Sequence, residues 1–112
     1  MLSKLQSAAF EIIAYVGDAK SKYVRAVELI QQGNNEEASL ALIKQGNEQL
    51  NNAHKCHFEF IQLEANGESL PYSMLFMHAE DQLLTTQTFR DLVEMIINLH
   101  KTIHLLKEEK EV

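Results

Sequence analysis

Punctuation constrains this chain more than any other feature: one proline, Pro71, and four glycines are spread over 112 residues. No alternating apolar and polar segments bounded by turn residues accompany them. A chain so poor in breakers buries its apolar residues as long helices. Two clusters interrupt it. Gly33-Asn34-Asn35, followed by Glu36-Glu37, has the form of a helix end and a fresh N-cap, and Asn66-Gly67-Glu68-Ser69-Leu70-Pro71 has the form of another. They divide the chain into helices over roughly 2–32, 35–66 and 72–109. Short connections between long helices favour antiparallel neighbours. The expected fold is therefore all-α, an antiparallel three-helix bundle forming a single domain over residues 1–112, with a 46% apolar composition sufficient for its core.

Charge and cysteine content narrow the function classes. The formal net charge is -6, and the ten Lys and Arg residues form no stripe or cluster, which excludes a footprint on a nucleic-acid backbone. Cys56 is the only cysteine; it has no partner for an internal disulfide and no zinc-ligand spacing around it, which suits a reducing compartment. Glu11 and Asp18 interrupt the apolar character of the N-terminal segment, and no run is long enough to cross a bilayer. The expected location is the cytoplasm.

Helical periodicity marks the faces. In the first helix Leu5, Ala9, Ile12, Val16, Ala19, Tyr23, Val27 and Ile30 recur at steps of three and four, an apolar stripe that faces its neighbours. In the second, Ile43, Gly46, Leu50, Ala53 and Phe60 continue such a stripe, in which His57 takes a turn. The third is different. Projected at about 100 degrees per residue, Met74, Leu84, Phe89, Leu92, Val93, Met95, Ile96, Leu99, Ile103 and Leu106 fall on one half, and Glu80, Gln87, Arg90, Asp91, Glu94, Asn98 and Lys101 on the other. That apolar arc is wider than one small bundle needs, and its excess is expected to face another subunit.

Within the same half stand His78, Asp81, Thr85 and Thr88, at offsets of three, four and three, so that they line one ridge. A buried carboxylate requires a partner. If third helices of several subunits meet, copies of Asp81 converge, and their repulsion favours a shared proton or an oxygen-liganded divalent cation such as Mg2+; pairing with a basic residue is the simpler alternative. His78 lies one turn earlier. An imidazole in partly apolar surroundings stays neutral near neutral pH, and its free nitrogen is then a nucleophile able to accept a phosphoryl group, with hydroxyls such as Thr85 available to its oxygens. The alternative is a hydrogen-bonded packing histidine. His54, His57, His100 and His104 form no metal set by spacing, and Met74 to Met77 read as core filling.

The segment Pro71-Tyr72-Ser73-Met74-Leu75-Phe76-Met77-His78-Ala79-Glu80-Asp81-Gln82-Leu83-Leu84-Thr85-Thr86 resembles the PYS and MHxxDxLMTT pattern of the lactose/cellobiose-specific IIA family of the bacterial sugar phosphotransferase system. Phe10 to Lys22, FEIIAYVGDAKSK, is similar to that family's FEIVAYAGDARSK block, and Ala53-His54 with Glu64-Ala65-Asn66-Gly67-Glu68 is similar to its AH and EAxGE block. The three blocks span nearly the whole chain in order and spacing.

The resemblance implies a homotrimer of nine helices with a metal ion, Mg2+ or similar, on the three-fold axis, held by one aspartate per subunit; Asp81 matches that aspartate. His78 matches the phosphorylated histidine, modified on Nε2, which receives the group from the carrier HPr and passes it to a cysteine of the IIB component. The sugar, a β-linked disaccharide, is phosphorylated later during passage through the membrane component IIC.

Two places depart from the family pattern. It reads HxQDH where this chain has His78-Ala79-Glu80-Asp81-Gln82, and AHxxQT where this chain has Ala53-His54-Lys55-Cys56-His57-Phe58. Glu80 adds a negative charge that is expected to slow an incoming phosphoryl group or narrow the choice of donor, and His57 is either a compensating donor or a neutral replacement. Three functions follow: a phosphoryl carrier, a non-catalytic adaptor or regulatory bundle derived from the family, and, with least support, a metal-dependent enzyme using His78 and Asp81, an i, i+3 pair that supplies only part of a site.

Overall fold

The computed structural model describes residues 1–33 and 36–110 and the backbone of Glu111. Three helices account for the architecture: α1 (Leu2–Gln31), α2 (Glu36–Ala65) and α3 (Met74–Glu111), with no strand among the described residues. The all-α, three-helix expectation holds. No helix among the described residues is long and apolar enough to cross a membrane.

Helix ends follow local chemistry. α1 closes on Gly33 (φ 91°), whose N–H donates to the Ile30 carbonyl. The expected cap at Asn34-Asn35 and helix start at 35 lie outside the described residues. α2 ends in a Schellman turn: the Glu68 N–H reaches back to the Leu63 carbonyl and the Gly67 N–H to that of Glu64, with Gly67 at φ 94°. α3 begins at Met74, two residues later than expected, because the Ser73 hydroxyl accepts the Phe76 N–H at 3.1 Å and so serves as the N-cap.

α1 lies between its two partners and packs along both, whereas α2 and α3 touch each other little. Its inward stripe is buried as expected, save that Val27 is half-buried, and Ala8 and Ala26 join it. The alanines matter because a short side chain lets helix backbones approach closely. The tightest approach is elsewhere. The Tyr23 ring lies against Gly46 of α2 so closely that a Cβ there would stand 2.7 Å from its Cε1. The Tyr23 hydroxyl donates to Asn47 Oδ1 at 2.7 Å. Burial pushes this phenol up to about 12, which keeps it the neutral donor that the bond needs. Nearby, the buried Ser39 hydroxyl donates to the Ala26 carbonyl at 2.9 Å, so no polar group is left orphaned at this crossing.

The third helix departs from the sequence projection. Its inward face is Phe76, Ala79, Leu83, Thr86, Val93 and Ile97. Of the ten residues assigned to one apolar half, only Val93 is buried and Phe89 half-buried; Leu84, Leu92, Met95, Ile96, Leu99, Ile103 and Leu106 are exposed, as is Met74. The polar residues Glu80, Gln87, Arg90 and Lys101 flank the inward face and are half-buried. The projection selected the outer apolar face and left out Phe76, Ala79, Leu83 and Ile97, which turn inward. α3 also outruns its partners, with 38 residues against 30 in each of the others, about 57 Å of helix against about 45 Å at 1.5 Å per residue.

Gly46→Ala tests the close crossing. Alanine gains helix propensity of about 1 kcal/mol but forces the Tyr23 ring aside, and overpacking costs about 1–3 kcal/mol. The expected outcome is a net loss of about 1 kcal/mol, read as a lower urea midpoint with unchanged slope at fixed protein concentration.

Candidate functional site

Residues that the sequence sets apart sit on the outer face of α3, opposite its inward stripe. His78, Asp81, Thr85 and Thr88 are all exposed. Along that face the chain follows a seven-residue repeat: His78, Thr85, Leu92, Leu99 and Leu106 in one position, Asp81, Thr88, Met95 and Thr102 in the other. The first half of the seam is polar and the second half, apart from Thr102, apolar, with Met95 64% and Leu99 61% exposed. Large apolar side chains repeated this way on one face form the pattern of a helix that packs against other helices.

Among the described residues, neither the His78 ring nor the Asp81 carboxylate makes a side-chain hydrogen bond or ion pair. Both are presented outward. The threonines are turned inward on their own helix: Thr85 donates to the carbonyls of Asp81 at 2.8 Å and Gln82 at 3.2 Å, and Thr88 to that of Leu84 at 3.3 Å. Donating to a phosphoryl oxygen would require the Thr85 hydroxyl to leave those carbonyls. Asp81 therefore does not face a buried cation within its own chain. Among the described residues no group of three His, Cys, Asp or Glu side chains converges on a metal position. At Asp81 the described residues of one chain offer a hard cation a single carboxylate.

Glu80 points the other way, into the junction with α2. Its Oε2 lies 2.7 Å from His57 Nε2, with the two side chains 33% and 18% exposed. The His57 ring also stacks on Phe76, centroids 5.9 Å apart and planes at 28°, and Phe76 meets Phe60 edge-on at 5.3 Å. The two departures flagged in the sequence thus face each other, and His57 does offer Glu80 a nitrogen. Nothing in the spacing of residues 57 and 80 announces the contact; only the unusual residue types did. Beside it a cleft of about 270 Å³ opens between the start of α1, the end of α2 and the 66–73 connection, with Glu64, Tyr72, Ser73, Met77 and Glu80 on its walls.

Cys56 takes no part in this arrangement. It is half-buried between helices, and its thiol donates to Glu11 Oε2 at 3.5 Å. Burial first, and then the Glu11 carboxylate, raise its pKa, which makes it a poor thiolate nucleophile. His104 pairs with Glu108 at 3.1 Å along α3, far from His78.

Comparison with known proteins agrees with the sequence pattern. Residues 7–101 match the family model described as "PTS system, Lactose/Cellobiose specific IIA subunit". Among relatives, the chain is 36% identical over 97 residues to the oligo-beta-mannoside-specific EIIA component of Bacillus subtilis, covering 87% of each chain. It is 37% identical over 98 residues to the lactose-specific EIIA component of Staphylococcus epidermidis, covering 88% of this chain and 93% of that one. In structure it is similar to the cellobiose-specific enzyme IIA of Bacillus anthracis, with a TM-score of 0.84 at 30% identity over 90% of this chain and 92% of that one. It is likewise similar to PtcA of S. mutans, with a TM-score of 0.86 at 30% identity over 90% and 98%. The heptad face bearing His78 and Asp81, the three-helix fold and these matches lead to one conclusion: the chain belongs to the lactose/cellobiose-specific IIA family of the sugar phosphotransferase system.

Proposed function

We propose that this protein is a single-domain, cytoplasmic phosphoryl carrier in which His78 accepts a phosphoryl group from HPr and passes it to a cysteine of a IIB component. The observation that carries the reading is the outward presentation of His78 on a helix whose opposite face holds it to the bundle. An exposed imidazole with no competing hydrogen bond is free to act as a nucleophile. In the forward step the P–N bond of the phosphohistidine donor breaks as the lone pair of His78 Nε2 forms a new one, while Nδ1 keeps its proton. In the next step that bond breaks in turn as a thiolate of IIB takes the phosphoryl group. The sugar, a β-linked disaccharide, receives it during passage through the IIC membrane component.

The heptad face supports a homotrimer of nine helices. Exposed Leu92, Met95, Leu99 and Leu106 recur at the spacing that lets identical helices interlock around a common axis. In that assembly the Asp81 carboxylates converge, and a divalent cation such as Mg2+ would offset their repulsion. Assembly would also set each His78 beside a neighbouring subunit rather than in open water.

Incubation with phosphoenolpyruvate, enzyme I and HPr is expected to add one acid-labile phosphoryl group to the wild type and none to His78→Ala, as read by intact mass. An unmodified wild type, with HPr phosphorylated in the same tube, would instead favour an adaptor bundle. Leu99→Glu places a carboxylate at the centre of the proposed seam. Sedimentation equilibrium is expected to show a trimer for the wild type and mostly monomer for the variant; a wild-type monomer at micromolar concentration would remove the trimer.

A further inference from the structure

α3 starts after a connection that runs over the end of the bundle, and its first turns carry His78 and Asp81. On the outer face of these turns His78 and Asp81 are exposed, and among the described residues neither side chain makes a hydrogen bond or ion pair, so the packing of the opposite face orients His78. Phe76, Ala79 and Leu83 pack there. Apolar contacts resist separation of two helices but resist sliding and rotation weakly, because they have no direction. A short hydrogen bond does have one.

The described polar links from α2 to α3 are two: Glu36 to Lys101 at 3.0 Å, at the far end of the bundle, and His57 to Glu80 at 2.7 Å, beside the site. The second is the more constrained. Its partners are half-buried, and the imidazole ring also stacks on Phe76, one helical turn before Glu80 on the same side of α3. His57 thus holds α3 at two points that straddle residue 78. We propose that His57 is a positioning residue for the carrier site: through Glu80 and Phe76 it fixes the rotation and register of the first turns of α3, and with them the direction in which His78 is presented. The inference rests on His78 being the phosphoryl carrier.

The link needs one N–H donor and one oxygen acceptor, not a charge. Glutamine at 57 retains a donor and a flat amide to lie on Phe76, and glutamine at 80 retains an acceptor; alanine at either position removes the bond. Transfer from phosphorylated HPr is expected to slow about tenfold in His57→Ala, since misplaced reacting groups cost rate steeply, with the HPr concentration at half-maximal rate little changed. His57→Gln and Glu80→Gln are expected to stay within about threefold of wild type. The double variant His57→Ala/Glu80→Ala should be no slower than the slower single one, as for two residues acting through one contact.

The imidazole resonances of His78, assigned by comparison with His78→Gln, give a readout that needs no phosphoryl donor. They are expected to shift or broaden in His57→Ala and to return to their wild-type positions in His57→Gln. Wild-type transfer and unmoved resonances in His57→Ala would overturn the proposal. So would His57→Gln behaving like His57→Ala, because the charge of the imidazole rather than its bond would then be the active property. Should the wild type accept no phosphoryl group at all, the carrier reading fails, and the resonances alone decide whether His57 orients His78.

Discussion

Everything in this bundle depends on the inward stripe of α1. It is the element that packs along both other helices, and its residues from Leu5 to Ile30 are closed off by them almost without interruption. Because α2 and α3 meet little, α3 is held chiefly by the apolar contacts of Ala79, Leu83, Val93 and Ile97. Burial of this kind supplies stability in proportion to area and has no preferred direction. Direction comes from a few polar contacts laid over it: Tyr23 to Asn47, Ser39 to Ala26, and His57 to Glu80.

That division of labour leaves α3 with a second face to use. A helix packed on one side normally turns charged residues outward. Here the outer side carries Leu92, Met95 and Leu99 below His78 and Asp81, so the candidate site and the candidate assembly surface share one continuous seam. In the proposed carrier role, an outward histidine would be reachable by a donor and an acceptor protein in turn. The Glu80 carboxylate is turned toward α2 and bonded to His57.

Much of this was legible without coordinates. The two breaker clusters placed the helix boundaries to within a few residues, and the stripes of α1 and α2 named their buried residues almost one for one, because both signals are local. The motif around His78 named the family. The inward face of α3 was not legible. Its apolar residues surround much of the helix, and the projection took the half centred on Leu92, Met95 and Leu99, leaving out the stripe of Phe76, Ala79, Leu83 and Ile97 that turns inward. The start of α3 was missed by two residues because the breaker cluster ending at Pro71 marks only where the helix can begin, and only the Ser73 hydroxyl on the Phe76 N–H shows where it does.

The sequence by itself determined the helices, their order, the candidate site residues and the family to which the chain belongs. These are properties of neighbours along the chain: side-chain periodicity, caps and short motifs. Tertiary structure alone decided which side of α3 turns inward, and hence that His78 and Asp81 are presented outward. It alone paired His57 with Glu80, 23 residues apart in the chain. The physical reason is that helical periodicity fixes the angles between side chains on one helix but not the rotation of that helix against another. That rotation is set by which faces fit together, and it becomes visible only when all three helices are packed.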